Sequence, residues 1–322
     1  MRPTRAFAAV AVASLLGLPA ATVPAAASGL DTHAQWFNFG WRGAATVSAP
    51  PLRGWMSPEI GDAWGAGFQG QGTRIAVIDD FRSASRGSGD LGPGQRHLRH
   101  GEWVRDQAAM IAPRALVTTQ DFNSGGAVRL TGGQLNVLNL SYGMMARAGL
   151  RANQIRWAAQ ERSTIGHART GRAVVVKAAG NDAVAVTTVN GAGHVDYLNT
   201  ALAGTSSAIF VGALDRNGTV SNPAVIASYS NRAGKDPQVQ AQFLMVGVRG
   251  DLTGLHGTSF AAPVVSGYAA VLGSKFTRAT PTQIVEQLLS TARTDTIHGY
   301  AAHVHGRGEA SIARALAPVA IR

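Results

Sequence analysis

The chain contains no cysteine. That excludes disulfides, thiolate zinc sites and a cysteine nucleophile, and leaves the core to supply stability. Lysine is scarce as well: Lys177, Lys235 and Lys275 are the only three. Acids are outnumbered, 18 against 29 basic residues, and the formal net charge of +11 is carried almost wholly by arginine. A basic chain invites a nucleic-acid reading, because Lys and Arg neutralise phosphates. The arginines are spread along the whole length, however, with no basic helix face and no interleaved aromatics, the pattern of a solvated basic surface. No nucleic-acid partner is expected. Long apolar runs are also missing. Residues 6–18 form a thirteen-residue apolar stretch, short of the roughly 20 needed to span a bilayer. No later segment is long and apolar enough to span, so no membrane span is expected.

What is present is an ordinary globular balance: 322 residues, 45% of them hydrophobic and 15% charged, enough for one large domain or two small ones. Thirty-nine glycines cluster around short apolar runs, as tight connections in an α/β fold require. At the start, Arg2 and Arg5 precede the apolar stretch, and Ala25-Ala26-Ala27 stands before Ser28. That order is the signature of a secretory signal peptide. Residues 1–27 are therefore expected to be removed, and the mature chain to be secreted or periplasmic. Residues 28–57, with Trp36, Phe37, Phe39, Trp41 and Trp55 around Pro50-Pro51, read as an aromatic-containing extension laid against a main domain at 58–322. No internal repeat is visible, and a monomer is expected.

Within the main domain, continuously apolar runs at 74–79, 115–119, 137–140, 173–178, 209–212 and 243–246 read as strands buried on both faces. Helical stretches lie between and after them at 100–111, 152–163, 259–274 and 281–292, the last with Thr280 as N-cap and Pro281 at the first helical position. Strand and helix in alternation predict a parallel sheet flanked by helices. Residues 81–99, rich in Gly, Ser and Arg, read as a surface loop. Functional residues of such sheets gather beyond the carboxyl ends of the strands. Asp79 ends one run, Ser141 follows another and Asn181 lies just past a third. Lys177 falls inside a buried run, where an unpaired ammonium is costly, so it is expected to reach a carboxylate or the strand's end. His298, His303 and His305 stand close together with Asp295 as the one nearby acid. No metal is expected there, and no cofactor elsewhere.

Hydrolysis of an unactivated amide needs a nucleophile, a base, a group orienting the base, and donors for the developing oxyanion. His256-Gly257-Thr258-Ser259-Phe260-Ala261-Ala262-Pro263 places a serine at a helix N-terminus, where unpaired N–H groups favour negative charge. An ordinary N-cap serine would account for the position but not for the run around it. That run resembles the nucleophile motif of the subtilisin-like serine peptidases, the subtilases. Val77-Ile78-Asp79 looks like the family's aspartate strand, His100-Gly101 with Val104 is similar to its histidine motif, and Val137 through Gly143 resembles its substrate-pairing strand. Ala178-Ala179-Gly180-Asn181 matches the segment ending in the oxyanion asparagine. The order Asp, His, Ser is that of subtilisin, and the resemblance runs from about residue 58 to 316.

The resemblance implies a three-layer subtilisin-like fold and a serine endopeptidase that hydrolyses peptide or protein substrates through an acyl-enzyme. Ser259 would be the nucleophile, His100 the base and then acid, Asp79 the orienting carboxylate and Asn181 an oxyanion donor. Ser141, Tyr142 and Gly143 on one side and Ala178, Ala179 and Gly180 on the other would flank the substrate. Asp80 and Phe81 depart from the usual residues after the aspartate, and Glu102 and Trp103 from those after His100-Gly101. They motivate an alternative, a catalytically silent relative that binds peptides or a protein partner in the same groove. His97 is a rival base without a following glycine or helix, and is expected to be a loop residue.

Overall fold

The computed structural model describes residues 50–321. The expected signal peptide and residues 28–49 of the extension lie outside the described residues. The strands are β1 Thr73–Asp79, β2 Gly87–Gly89, β3 Arg96–Leu98, β4 Leu116–Asp121, β5 Leu135–Leu140, β6 Met145–Arg147, β7 Val174–Ala178, β8 His194–Asp196, β9 Ala208–Leu214 and β10 Phe243–Gly247. Six of them form one sheet in the order β10-β9-β7-β5-β1-β4, every neighbouring pair parallel. All six expected strands are found in it.

The sheet forms because its strands are runs such as Ile75-Ala76-Val77-Ile78 and Val174-Val175-Val176, fully or almost fully buried. Branched side chains of this kind fit a pleated surface covered on both faces. One core lies between the sheet and the helices His100–Ile111, Ala262–Lys275 and Pro281–Ser290, and takes in Trp55 and Met56. The opposite core lies under the helices Ala159–Arg169 and Tyr197–Leu202. In the Ala262–Lys275 helix every residue but Lys275 is buried, as an apolar surface on all sides requires. It packs on β1, β5 and β7. No helix among the described residues is long and apolar enough to cross a membrane.

Three expectations are corrected. β4 is not buried on both faces: it pairs only with β1 at the sheet edge, and Leu116 is 54% exposed. An edge strand has one neighbour and one open side, and LVTTQD has the polar content for it. Residues 81–99 are not simply a loop, because β2 and β3 make an antiparallel hairpin there. Trp103 Nε1 donates to the Gly87 carbonyl at 2.9 Å, and Arg96 pairs with Asp106 at 3.0 Å. The expected helix over 152–163 is a 3-10 turn Ala152–Gln154 followed by a helix Ala159–Arg169.

The chain leaves β1 for β4 on one side of it and then returns to β5 on the other. Strand order thus reverses between β1 and β5, and the crevice beyond their carboxyl ends is where such sheets hold ligands. Asp79 ends β1 and Ser141 follows β5.

Candidate active site

The candidate acid–base pair stands where β1 meets the His100–Ile111 helix. Asp79 is fully buried. His100, the first residue of the helix, places Nδ1 2.6 Å from Asp79 Oδ1. With a carboxylate as acceptor, Nδ1 carries the proton and Nε2 is left to act as a base. The approach depends on Gly101, whose N–H donates to the Asp80 carbonyl at 3.1 Å. A Cβ there would stand 2.7 Å from that oxygen and 3.0 Å from Asp79 Cβ. Asp79 Oδ1 also accepts the Asp80 N–H at 2.7 Å, while Oδ2 is buried without a partner among the described residues. Burial works against the charged imidazole of His100, but the charge and hydrogen bond of Asp79, with Asp80 behind it, raise its pKa above the ordinary histidine value.

The departures from the family pattern have local tasks. The Asp80 carboxylate accepts the N–H groups of Ser83 at 2.9 Å and Arg82 at 3.2 Å, and the Ser83 hydroxyl. Burial opposes its charge, yet these bonds, those of Ser83 first, hold its pKa below the usual carboxylate range. Glu102 accepts the Arg99 N–H at 2.8 Å, satisfying the backbone donor of the residue that precedes the helix. It also pairs with Arg86 and Arg99. His97 lies on β3, with Nδ1 2.9 Å from Ser88 Oγ.

The candidate nucleophile is held differently. Ser259 sits in a 3-10 turn, Thr258–Phe260, that runs into the Ala262–Lys275 helix. Its hydroxyl donates to the Ser141 carbonyl at 3.1 Å, and the Ser141 hydroxyl donates back to the Ser259 carbonyl at 2.9 Å. Behind them, Asn139 donates to Ser141 Oγ and Ser266 donates to Asn139, each at 2.9 Å. No hydrogen bond joins His100 to Ser259 among the described residues. The His100 and Phe260 rings lie 5.5 Å apart. Catalytic hydrogen bonds of a substrate-free site commonly form only once substrate is bound.

Asn181 stands beside this turn. Its Oδ1 accepts the Thr258 N–H at 2.8 Å and the Thr258 hydroxyl at 3.0 Å. Because a backbone N–H can only donate, the oxygen of the amide must face Thr258, and both N–H bonds of Nδ2 are left to donate elsewhere. The Thr258 hydroxyl in turn accepts the Gly180 N–H at 3.0 Å.

Next to Ser259 opens a cavity of about 50 Å³. Ser141-Tyr142-Gly143 and Ala178-Ala179-Gly180 form facing walls, and Lys177 and Asp196 also line it. The Tyr142 ring turns into the core, stacked on Phe122 with its hydroxyl on Glu161. Lys177 reaches a carboxylate as expected: it is 1% exposed, its Nζ lies 3.1 Å from Asp196 Oδ2 and donates to the Ala178 carbonyl at 2.7 Å.

Sequence reasoning missed three residues that shape the site. Thr258 lies within the serine motif, where no local signal marks its contact with Asn181. Asp196 is 55 residues beyond Ser141 and reaches it only because β6 pairs with β8; its one signal is an acid just before the Tyr197–Leu202 helix. Asn231 donates to the Ala179 carbonyl at 2.9 Å and accepts the N–H groups of Asp182 and Val184, with no local pattern to mark it. Among the described residues no group of three His, Asp or Glu side chains is arranged to hold a metal ion.

The model of the subtilase family matches residues 114–308, more than half of the chain. The chain belongs to the subtilase family and is a serine peptidase by that membership. The match includes Ser141, Asn181 and Ser259 and begins after Asp79 and His100. Among solved structures, the prenylagaramide maturation protease PagA is 19% identical, with a TM-score of 0.53 over 81% of this chain and 98% of its own. MycP3 of the ESX-3 type VII secretion system is 20% identical, with a TM-score of 0.51 over 80% and 85%. MycP1 from Mycobacterium smegmatis is 19% identical, with a TM-score of 0.51 over 80% and 82%. At these identities the likeness is one of fold. No curated protein compared with the chain matches it.

Proposed function

We propose that the protein is an exported serine endopeptidase working through Ser259, His100 and Asp79. The observation that carries this reading is the 2.6 Å contact of His100 Nδ1 with buried Asp79 Oδ1, at the mouth of the crevice that also holds Ser259. A peptide entering as an added strand would pair with the backbones of 141–143 and 178–180. The Ser259 hydroxyl leaves the Ser141 carbonyl, gives its proton to His100 Nε2 and attacks the scissile carbonyl carbon. Asn181 Nδ2 and the Ser259 N–H receive the oxyanion. His100 returns the proton to the departing amine as the C–N bond breaks, leaving an acyl-enzyme. Water, deprotonated by His100, then releases the acid and restores the Ser259 hydroxyl. Export is supported by the order of charge, apolar stretch and small residues at the N-terminus.

A silent, peptide-binding relative is the second reading, favoured by the one observation that Ser259 donates to Ser141 rather than to His100. Labelling with a fluorophosphonate separates the two. The parent is expected to label at Ser259 and to cleave peptides internally, and Ser259→Ala to lose both. A folded parent that never labels would establish the silent reading.

A further inference from the structure

The buried ion pair in the pocket wall has no part in the proposed chemistry, and both of its residues border the cavity. Lys177 comes from β7 and Asp196 from the end of β8, and both line the cavity beside Ser259. The site is built tightly around the carboxylate. Asp196 Oδ1 accepts the N–H groups of Met144 at 2.9 Å, Leu198 at 3.0 Å and Asn199 at 3.4 Å. A Cβ on Gly143 would lie 2.9 Å from Oδ2, so the glycine of the substrate-facing wall is what gives Asp196 its place. Hydrogen-bonding capacity remains on both partners. An ammonium has three N–H bonds, and one is committed to Ala178. Oδ2 faces Lys177 alone among the described residues.

What fits such a pair follows from charge and size. A cationic side chain would bring a second positive charge against Lys177, and an anionic one a second negative charge against Asp196, with Asp182 exposed at the rim. An aromatic ring would cover the pair without replacing the hydrogen bonds of water. It also needs more room: a cavity of about 150 Å³ is the size that takes up benzene, against about 50 Å³ here. A carboxamide carries no net charge and offers one acceptor and two donors, so its oxygen can take an N–H from Lys177 while its nitrogen donates to Asp196 Oδ2. We propose that Lys177 and Asp196 select an Asn or Gln side chain on the acyl side of the scissile bond. This rests on the peptidase reading above.

The test is a set of fluorogenic peptides identical except at that residue, carrying Gln, Asn, Glu, Lys or Phe, assayed with the full chain. For Gln or Asn, kcat/KM is expected to exceed that for Glu, Lys and Phe by about tenfold or more, the effect of one hydrogen bond to a charged group. In Lys177→Met the ratio of Gln to Lys turnover should fall about tenfold, because the repelling charge is gone and Asp196 is open to a cation. In Asp196→Asn, which keeps a helix-capping side chain, the ratio of Gln to Glu should fall instead. Each ratio is taken on one enzyme sample, so a smaller folded fraction cancels. A parent that cleaves Glu, Lys or Phe as well as Gln and Asn overturns the proposal, as do two variants with unmoved ratios. Fluorophosphonate labelling requires no side chain in this pocket: labelling with a flat or charged preference sinks the pocket assignment alone, and no labelling sinks the peptidase reading with it.

Discussion

The two halves of the candidate site are held by opposite means. On the acid–base side, Asp79 and His100 meet through their side chains at 2.6 Å, a contact that exists because Gly101 lets a helix start against the end of β1. On the nucleophile side, side chains are tied to backbone: Ser259 to the Ser141 carbonyl, and Asn181 to the Thr258 N–H. The difference has a physical sense. A base must keep one tautomer throughout the cycle, so a charged, buried partner serves it best. A nucleophile must leave its resting contact to react, and one neutral hydrogen bond to a carbonyl is easily given up. Asn181, the proposed oxyanion donor, is a third case. Its oxygen is fixed so that its nitrogen is preorganised, with no reorganisation left for the moment of reaction.

The largest way to break this arrangement is on the acid–base side. Asp79→Asn should preserve the fold and lower kcat about 10⁴-fold, because an amide no longer enforces the tautomer that leaves Nε2 free. A loss below tenfold would remove Asp79 from its orienting role. Next comes Asn181→Ala, for which kcat should fall about 10²–10³-fold with KM little changed, the loss known for the oxyanion asparagine of subtilisin. A rise in KM at unchanged kcat would make Asn181 a substrate-binding group only.

Thr258→Val sharpens the comparison, since it removes the hydroxyl while leaving the N–H that also holds Asn181. We expect about a tenfold loss of kcat, the worth of one hydrogen bond, and no change in the rank order of substrates. Unchanged kcat would mean that the backbone contact alone orients the amide.

The smallest effect concerns Asp80. The raised pKa of His100 places the acid limb of kcat/KM above the ordinary histidine value, because only neutral imidazole can accept the serine proton. Asp80→Ser removes one of the charges that raise it, so the limb should move to lower pH. A pH profile of fluorophosphonate labelling in parent and variant measures this, and a shift to higher pH would contradict it.

Much of the architecture was legible because buried parallel strands carry an unbroken apolar signal. All six strands of the sheet were readable in this way, and the span of the His100–Ile111 helix agrees with the expected one. β4 was misread because Leu116 and Val117 look the same in sequence whether a second neighbour covers them or not. The hairpin of β2 and β3 was missed because three-residue strands among Gly, Ser and Arg depend on Trp103 and Arg96 for their stability, and those contacts are not local.

By itself the sequence determined which residues stand at the strand and helix ends that meet in the crevice, because Asp79, His100, Asn181 and Ser259 each sit in a short motif with its own backbone demand. It also determined that Lys177 must find a partner, since burial of a lone ammonium is prohibitive. Only the tertiary structure decided that the partner is Asp196, that the pair lines the pocket next to Ser259, and that Thr258 turns the Asn181 amide. Each of these joins residues 19 or more positions apart through strand pairing or the docking of a helix. A linear pattern records what a residue needs, while the packing of the sheet and its helices settles which residue supplies it.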